Sequence, residues 1–130
     1  MWRFEGVALA LLRAVAAFLF AQHAVQKLFG LLGGHAVPLA SKLGAAGVIE
    51  LIGSALIFLG LFTRPTAFIL CGEMAVAYFT AHAPRSFWAV MNGGEIAVLY
   101  CFIYLYLLAR GAGPISVDAA LGWSGPRATT

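Results

Sequence analysis

The chain has 130 residues, 62% of them hydrophobic and 10% charged, with a formal net charge of +3. Ordinary soluble domains are about 45–50% apolar and about 25% charged. A soluble core of this length cannot cover so many apolar side chains, and the mean hydropathy of +0.94 agrees. The composition therefore predicts one integral membrane unit over residues 1–130 in contact with the lipid bilayer. The positive charges are scattered, which argues against a nucleic-acid partner.

Four apolar blocks follow in chain order, at about 6–29, 44–62, 65–81 and 93–109. Each has ~17–24 residues, the length of a bilayer-spanning helix. They are rich in Ala, Leu and Gly without strand-like alternation, which argues against an outer-membrane barrel. The first block has small residues near Ala21 and Ala24, as a cleaved leader would. Arg13 interrupts it, however, and it outruns a leader's apolar stretch, so it reads as a retained helix. GLLGGHAVPLASK separates it from the second block, and FTRP tightly separates the second from the third. Pro65 suits a first helical turn, where its missing N–H has no partner to lose. HAPRSFWAVMN leads to the fourth block, with Asn92 of NGGE as the expected cap. After Arg110, GAGPISVDAALGW reads as a loop and a short surface helix at about 116–121, capped by Ser116. SGPRATT reads as a frayed end. The predicted fold is all-α, a membrane four-helix bundle with both termini on the same side.

That side, side A, collects Arg3, Arg64, Arg110 and Arg127, and side B collects Lys27, Lys42 and Arg85. Positive charge favours the cytoplasm, so the termini are expected there, in a multi-pass protein of the bacterial inner (cytoplasmic) membrane. Trp2, Trp88 and Trp123 fall at or beyond the ends of spans, where an indole suits the interface.

The stretch ILCGEMAVAYF places Glu73 inside the third block, where a lone carboxylate is costly. At ~1.5 Å per residue, Arg13 and Glu73 lie ~10 and ~12 Å below side A, while His23 and Glu50 each lie ~9 Å below side B. Lys27 and Glu95 sit within a turn of side B. These depths pair Arg13 with Glu73 and His23 with Glu50. On the first helix Arg13, Ala17, Phe20, Ala24 and Lys27 share one face, with Gln22, His23 and Gln26 beside it. The second brings Gly47, Glu50, Gly53 and Ser54 to one face, and small residues there let helices approach closely or support a homo-oligomer. The fourth aligns Asn92, Glu95, Leu99, Phe102 and Tyr106. Glu50, Glu73 and Glu95 are thus expected to face a shared centre.

Such groups can simply hold helices together. The side B group is larger than packing requires, and intramembrane ionisable residues are functional candidates. His23, Glu50, Glu73 and Glu95 are candidates for proton transfer, since an imidazole beside a carboxylate passes protons near neutral pH. Gln22, Gln26, Lys27, His82, Arg85 and Asn92, flanked by Phe87 and Trp88, are candidates for holding a quinone-like head. The Glu-x-x-His spacing of paired-metal bundles is absent, so no metal is expected. Cys71 and Cys101 lie near mid-span and meet if the third and fourth helices are adjacent and antiparallel, but they form no C-x-x-C pair, and a thiol buried in lipid is usually inert. No Walker loop, dinucleotide fingerprint or nucleophile elbow is present.

From about Leu12 to Leu121 the chain resembles the DoxX family of small bacterial membrane proteins. The resemblance rests on QKLFG (Gln26–Gly30), the IE ending in Glu50, GEM (Gly72–Met74), HAP (His82–Pro84), NGGE (Asn92–Glu95) and the GPxSxD tail (Gly113–Asp118). Members often show His-Gly before the Gln-Lys; here the residues are His23 and Ala24. The resemblance implies a four-helix membrane bundle and a redox association, because relatives are named as subunits of thiosulfate:quinone oxidoreductase. Two readings stay open: a subunit of a quinone-linked oxidoreductase system working with a redox-complex partner, and a non-catalytic scaffold or assembly factor for a partner protein.

Overall fold

The computed structural model describes residues 2–123, with side chains from Phe4 onward. Arg127, the SGPRATT end and the side chains of Trp2 and Arg3, on which charge and interface expectations drew, lie outside the described residues. The described chain is all-helical: α1 Trp2–Phe29, α2 Lys42–Leu59, α3 Thr63–Ala77, α4 Ala89–Asn92, α5 Glu95–Arg110 and α6 Val117–Ala120. A π-helical turn, Tyr78–His82, and a 3-10 turn, Ala83–Arg85, extend α3. Three helical stretches, Phe4–Phe29, Lys42–Leu59 and Thr63–Arg85, are long and apolar enough to cross a membrane. At 16 residues, α5 falls short of them.

Packing makes two antiparallel pairs, α1 with α2 and α3 with α5, joined chiefly where α2 meets α3. Small residues permit this. A side chain at Gly47 would meet Leu28 and Lys27 of α1, and one at Gly53 would meet Leu70 of α3. Leu70, Met74, Phe20, Tyr100, Tyr104 and Leu107 fill the core. Phe20 packs edge-on against Tyr100 and Tyr104 at 4.8 and 5.3 Å between ring centroids. Large apolar side chains such as Phe18, Phe68 and Phe102 remain exposed around the outside, as lipid contact requires.

The end where α1 begins and α5 ends is closed by a polar clasp. After α2, Gly60 takes a left-handed φ of 70°, and Leu61 N–H donates to Leu56 O at 2.9 Å, a glycine-ended helix stop. Asp118 then accepts from Phe62 N–H at 2.8 Å and Thr63 N–H at 3.0 Å, which caps α3 from outside its own sequence. Ser116 caps α6 by accepting from Ala119 N–H. The expectation of a surface helix at 116–121 needs correction in this respect: Asp118 is buried and joins that segment to the α2–α3 turn.

Candidate functional site

Arg13 belongs to this clasp and not to Glu73. Its guanidinium donates to Ile57 O at 2.8 Å, Ala112 O at 2.7 Å and Ile115 O at 2.9 Å, with a longer contact to Phe58 O at 3.5 Å. The depth-matched pairing of Arg13 with Glu73 is therefore overturned. Depth fixes height along the membrane normal but not direction around the helix, and the carbonyls at the end of α2 and in the tail occupy the guanidinium fork.

The second polar group lies in the α3–α5 connection. Asn92 is buried, and its side-chain amide donates to Ser86 O at 2.9 Å and Tyr78 Oη at 3.1 Å while its oxygen accepts from Gly94 N–H at 2.8 Å. His82 Nδ1 lies 3.1 Å from Asn92 O. Asn92 thus closes a loop. The expected cap of the fourth long helix is Gly94 instead. The π-helical turn, where Ala83 N–H reaches Tyr78 O, aims Tyr78 at this loop.

The third group sits between α1, α2 and α3. Lys27, 29% exposed, pairs with Glu50, 1% exposed, at 2.5 Å. The pairing of Glu50 with His23 is not formed. His23 instead lies edge-on to Tyr100 at 6.2 Å and near Phe20. Glu73 neighbours Glu50, with Lys27 also within electrostatic reach. Both Glu73 carboxyl oxygens are buried without a hydrogen-bond partner. Tyr104, 0% exposed, has an unpartnered hydroxyl within electrostatic reach of Glu50 and Glu73. Ser54 stands one turn beyond Glu50 and is also unpartnered. It lines an open apolar groove of about 390 Å³ between α1 and α2, formed with Ala17, Phe18, Ala21, Leu51, Ala55, Phe58 and Leu59.

The remaining candidates lie apart. Glu95 is exposed at the start of α5, so the expected three-acid centre holds two acids. Leu99, Phe102 and Tyr106 face outward with it. The left-handed Gly93, at φ 75°, breaks the register between Asn92 and α5, and the inward face is Tyr100, Tyr104 and Leu107. Gln26 donates to Leu32 O at 2.9 Å and holds the first loop. Gln22 is half-buried, whereas Arg85, Phe87 and Trp88 are exposed at the rim. Tyr104 was absent from the candidates, although its spacing with Tyr100 and Leu107 is that of one helix face.

One lysine neutralises one of two buried carboxylates. The second needs a proton or an incoming partner, because an isolated buried charge is costly. This centre can therefore exchange a proton or accept a hydrogen-bonding group. Arg13 and Asp118 in the clasp and Asn92 in its loop have their side-chain polar atoms engaged internally, whereas the Thr63 hydroxyl of the clasp is buried without a partner.

The DoxX family model matches residues 8–83. An uncharacterised protein of Haemophilus influenzae is 44% identical over 117 residues, covering 85% of this chain and 87% of the relative. A second uncharacterised protein of that organism is 32% identical over 72 residues, covering 55% of this chain and 48% of the relative. No solved structure matches. Together with the helical bundle, these matches place the chain in the DoxX family of multi-pass membrane proteins.

Proposed function

We propose that the chain is a membrane subunit of a quinone-linked oxidoreductase system in the bacterial inner membrane, with its termini cytoplasmic, and that Lys27, Glu50, Glu73 and Tyr104 form its proton-handling centre. The observation that carries this reading is the buried Glu73 carboxyl, which makes no short hydrogen bond and faces the carboxylate of an already paired Glu50. A buried carboxyl left without a short hydrogen bond costs more than an unpartnered hydroxyl, and another deep ionisable group, Arg13, is fully engaged.

The residues present fit a quinone. Its carbonyl oxygen needs a hydrogen-bond donor, which a neutral Glu73 carboxyl or the Tyr104 hydroxyl supplies. Its isoprenoid tail needs an apolar surface, which the groove lined in part by Ser54, one turn from Glu50, supplies. A bound quinone would supply two-electron, two-proton redox chemistry. Lys27, 29% exposed, meets side B, so protons pass between that surface and Glu73 along the Lys27–Glu50 pair. Lys27 is paired with Glu50, and Glu73 takes up and releases the proton.

The test is purification in mild detergent followed by lipid extraction and quinone quantification. Wild-type protein retains about one quinone per chain, and Glu73→Gln and Ser54→Leu retain at most about a tenth as much, a loss of about 1.4 kcal/mol or more in binding. Equal quinone content in wild type and both variants, at the level of bulk lipid, would refute the reading. A stoichiometric partner protein without quinone would favour the scaffold alternative.

A further inference from the structure

We infer that Cys71 and Cys101 are a redox-active dithiol, closing to a disulfide between α3 and α5 in the middle of the membrane with a lipid-dissolved quinone as the electron acceptor. Their Sγ atoms lie 3.7 Å apart, and the Cys101 thiol also donates to Cys71 O at 3.6 Å. Both are free and half-buried. A disulfide requires 2.03–2.05 Å between sulfurs, so the two must approach by about 1.7 Å from 3.7 Å, a distance within reach of rotation about two χ1 bonds. The helices that carry them are tightly paired and antiparallel, so the thiols stay together without a C-x-x-C motif.

Depth selects the oxidant. Cys71 lies eight residues into α3 and Cys101 nine residues before Arg110, the α5 end on the same side. At ~1.5 Å per residue, both sit ~12–14 Å below that surface, in hydrocarbon that excludes hydrophilic oxidants. The step balances: both S–H bonds break and one S–S bond forms, and two electrons and two protons reduce a quinone to its hydroquinone. The pair is separate from the Glu50–Glu73 centre, because residues two apart on a helix point to nearly opposite sides.

The experiment uses the full-length chain in lipid nanodiscs, reduced and freed of reductant under anaerobic conditions. It is treated with decylubiquinone, whose fully substituted ring disfavours thiol addition, then denatured, alkylated with N-ethylmaleimide and weighed by mass spectrometry. The expected result is two alkyl groups before quinone and none after, with one hydroquinone formed per chain and both labels restored by dithiothreitol. Cys71→Ser and Cys101→Ser each take up one label with or without quinone. Oxidised glutathione, confined to water, leaves both wild-type thiols open to label. The label count does not depend on quinone retained by the chain, since decylubiquinone is supplied through the lipid, so a failure here is distinguishable from a failure of the proton-handling reading. Two labels persisting after quinone, label loss in the single-cysteine variants, or closure by oxidised glutathione would overturn the inference.

Discussion

Replacing Arg13 with Met tests whether the polar clasp, and not an Arg13–Glu73 pair, holds this end of the bundle. The variant removes three bonds of 2.7–2.9 Å to Ile57, Ala112 and Ile115 and one of 3.5 Å to Phe58. Interhelical hydrogen bonds in membranes contribute about 0.6–1.7 kcal/mol each, so the three short ones amount to about 2–5 kcal/mol. Replacing a buried ion pair with apolar groups is often neutral, but that escape is closed here. The partners are backbone carbonyls that stay in place when the guanidinium goes. Asp118, held by Phe62 and Thr63 N–H groups, loses its neighbouring positive charge as well. We expect a destabilisation of about 3 kcal/mol, roughly a 150-fold change in the folded-to-unfolded ratio. Reversible unfolding in mixed micelles of rising dodecyl sulfate fraction, followed by far-ultraviolet circular dichroism, measures it. Arg13→Lys should recover little, since an ammonium cannot fork across carbonyls from two segments. Hydrogen exchange should localise the loss to residues 110–118 and the end of α2. A midpoint shift worth less than about 0.5 kcal/mol, or exchange spread evenly along the chain, would refute the clasp.

Asp118→Ala should cost about 1–2 kcal/mol by uncapping α3, read in the same titration as faster exchange at Phe62 and Thr63. Asn92→Ala breaks three hydrogen bonds, so about 2–3 kcal/mol is expected at about 1 kcal/mol each, with exchange rising between Ala83 and Gly94. Gly53→Leu forces a side chain into Leu70, where a Cβ alone would come within 2.9 Å. Over-packing of about 1–3 kcal/mol should follow, together with loss of retained quinone as α2 and α3 part. Glu73→Leu should raise stability by about 1–3 kcal/mol by removing a buried carboxyl with no partner, and abolish quinone retention. A Glu73→Leu protein less stable than wild type would mean that the carboxyl has a structural partner after all.

Composition and block length made the membrane bundle legible, because lipid demands long helices whose backbone bonds are internal. The α1 face was legible too: Arg13, Ala17, Phe20 and Ala24 are buried in a row, as their spacing requires. Direction around the bundle was not. Arg13 and Glu73 share a depth yet serve different neighbours, since α1 packs chiefly on α2 and α3 on α5. The α5 face is not legible from a period that starts at Asn92, because the left-handed backbone of Gly93 resets the helix. Counting from Tyr100 gives the buried set. Depth alone favours His23 as the partner of Glu50, but Lys27 lies at the inward end of the α1 stripe and its long side chain reaches back along the helix to Glu50.

The separation between satisfied and unsatisfied polar groups carries the functional argument further than their number does. Arg13 sits deep in an apolar helix, yet its bonds to carbonyls make it architecture. Asn92 is buried among candidate ligands, yet its amide is fully engaged by Ser86, Tyr78 and Gly94. Glu50 is less clear-cut, since its lysine accounts for its charge. Glu73 and Tyr104 differ: they project an acid and a hydroxyl into the core beside Glu50 without a short hydrogen bond to offset their burial. Leucine at position 73 would pack α3 at lower cost. A buried group that weakens the fold and is joined by a second such group on another helix, with an open apolar groove lined in part by Ser54, one turn from Glu50, is best explained by something that arrives there and binds it.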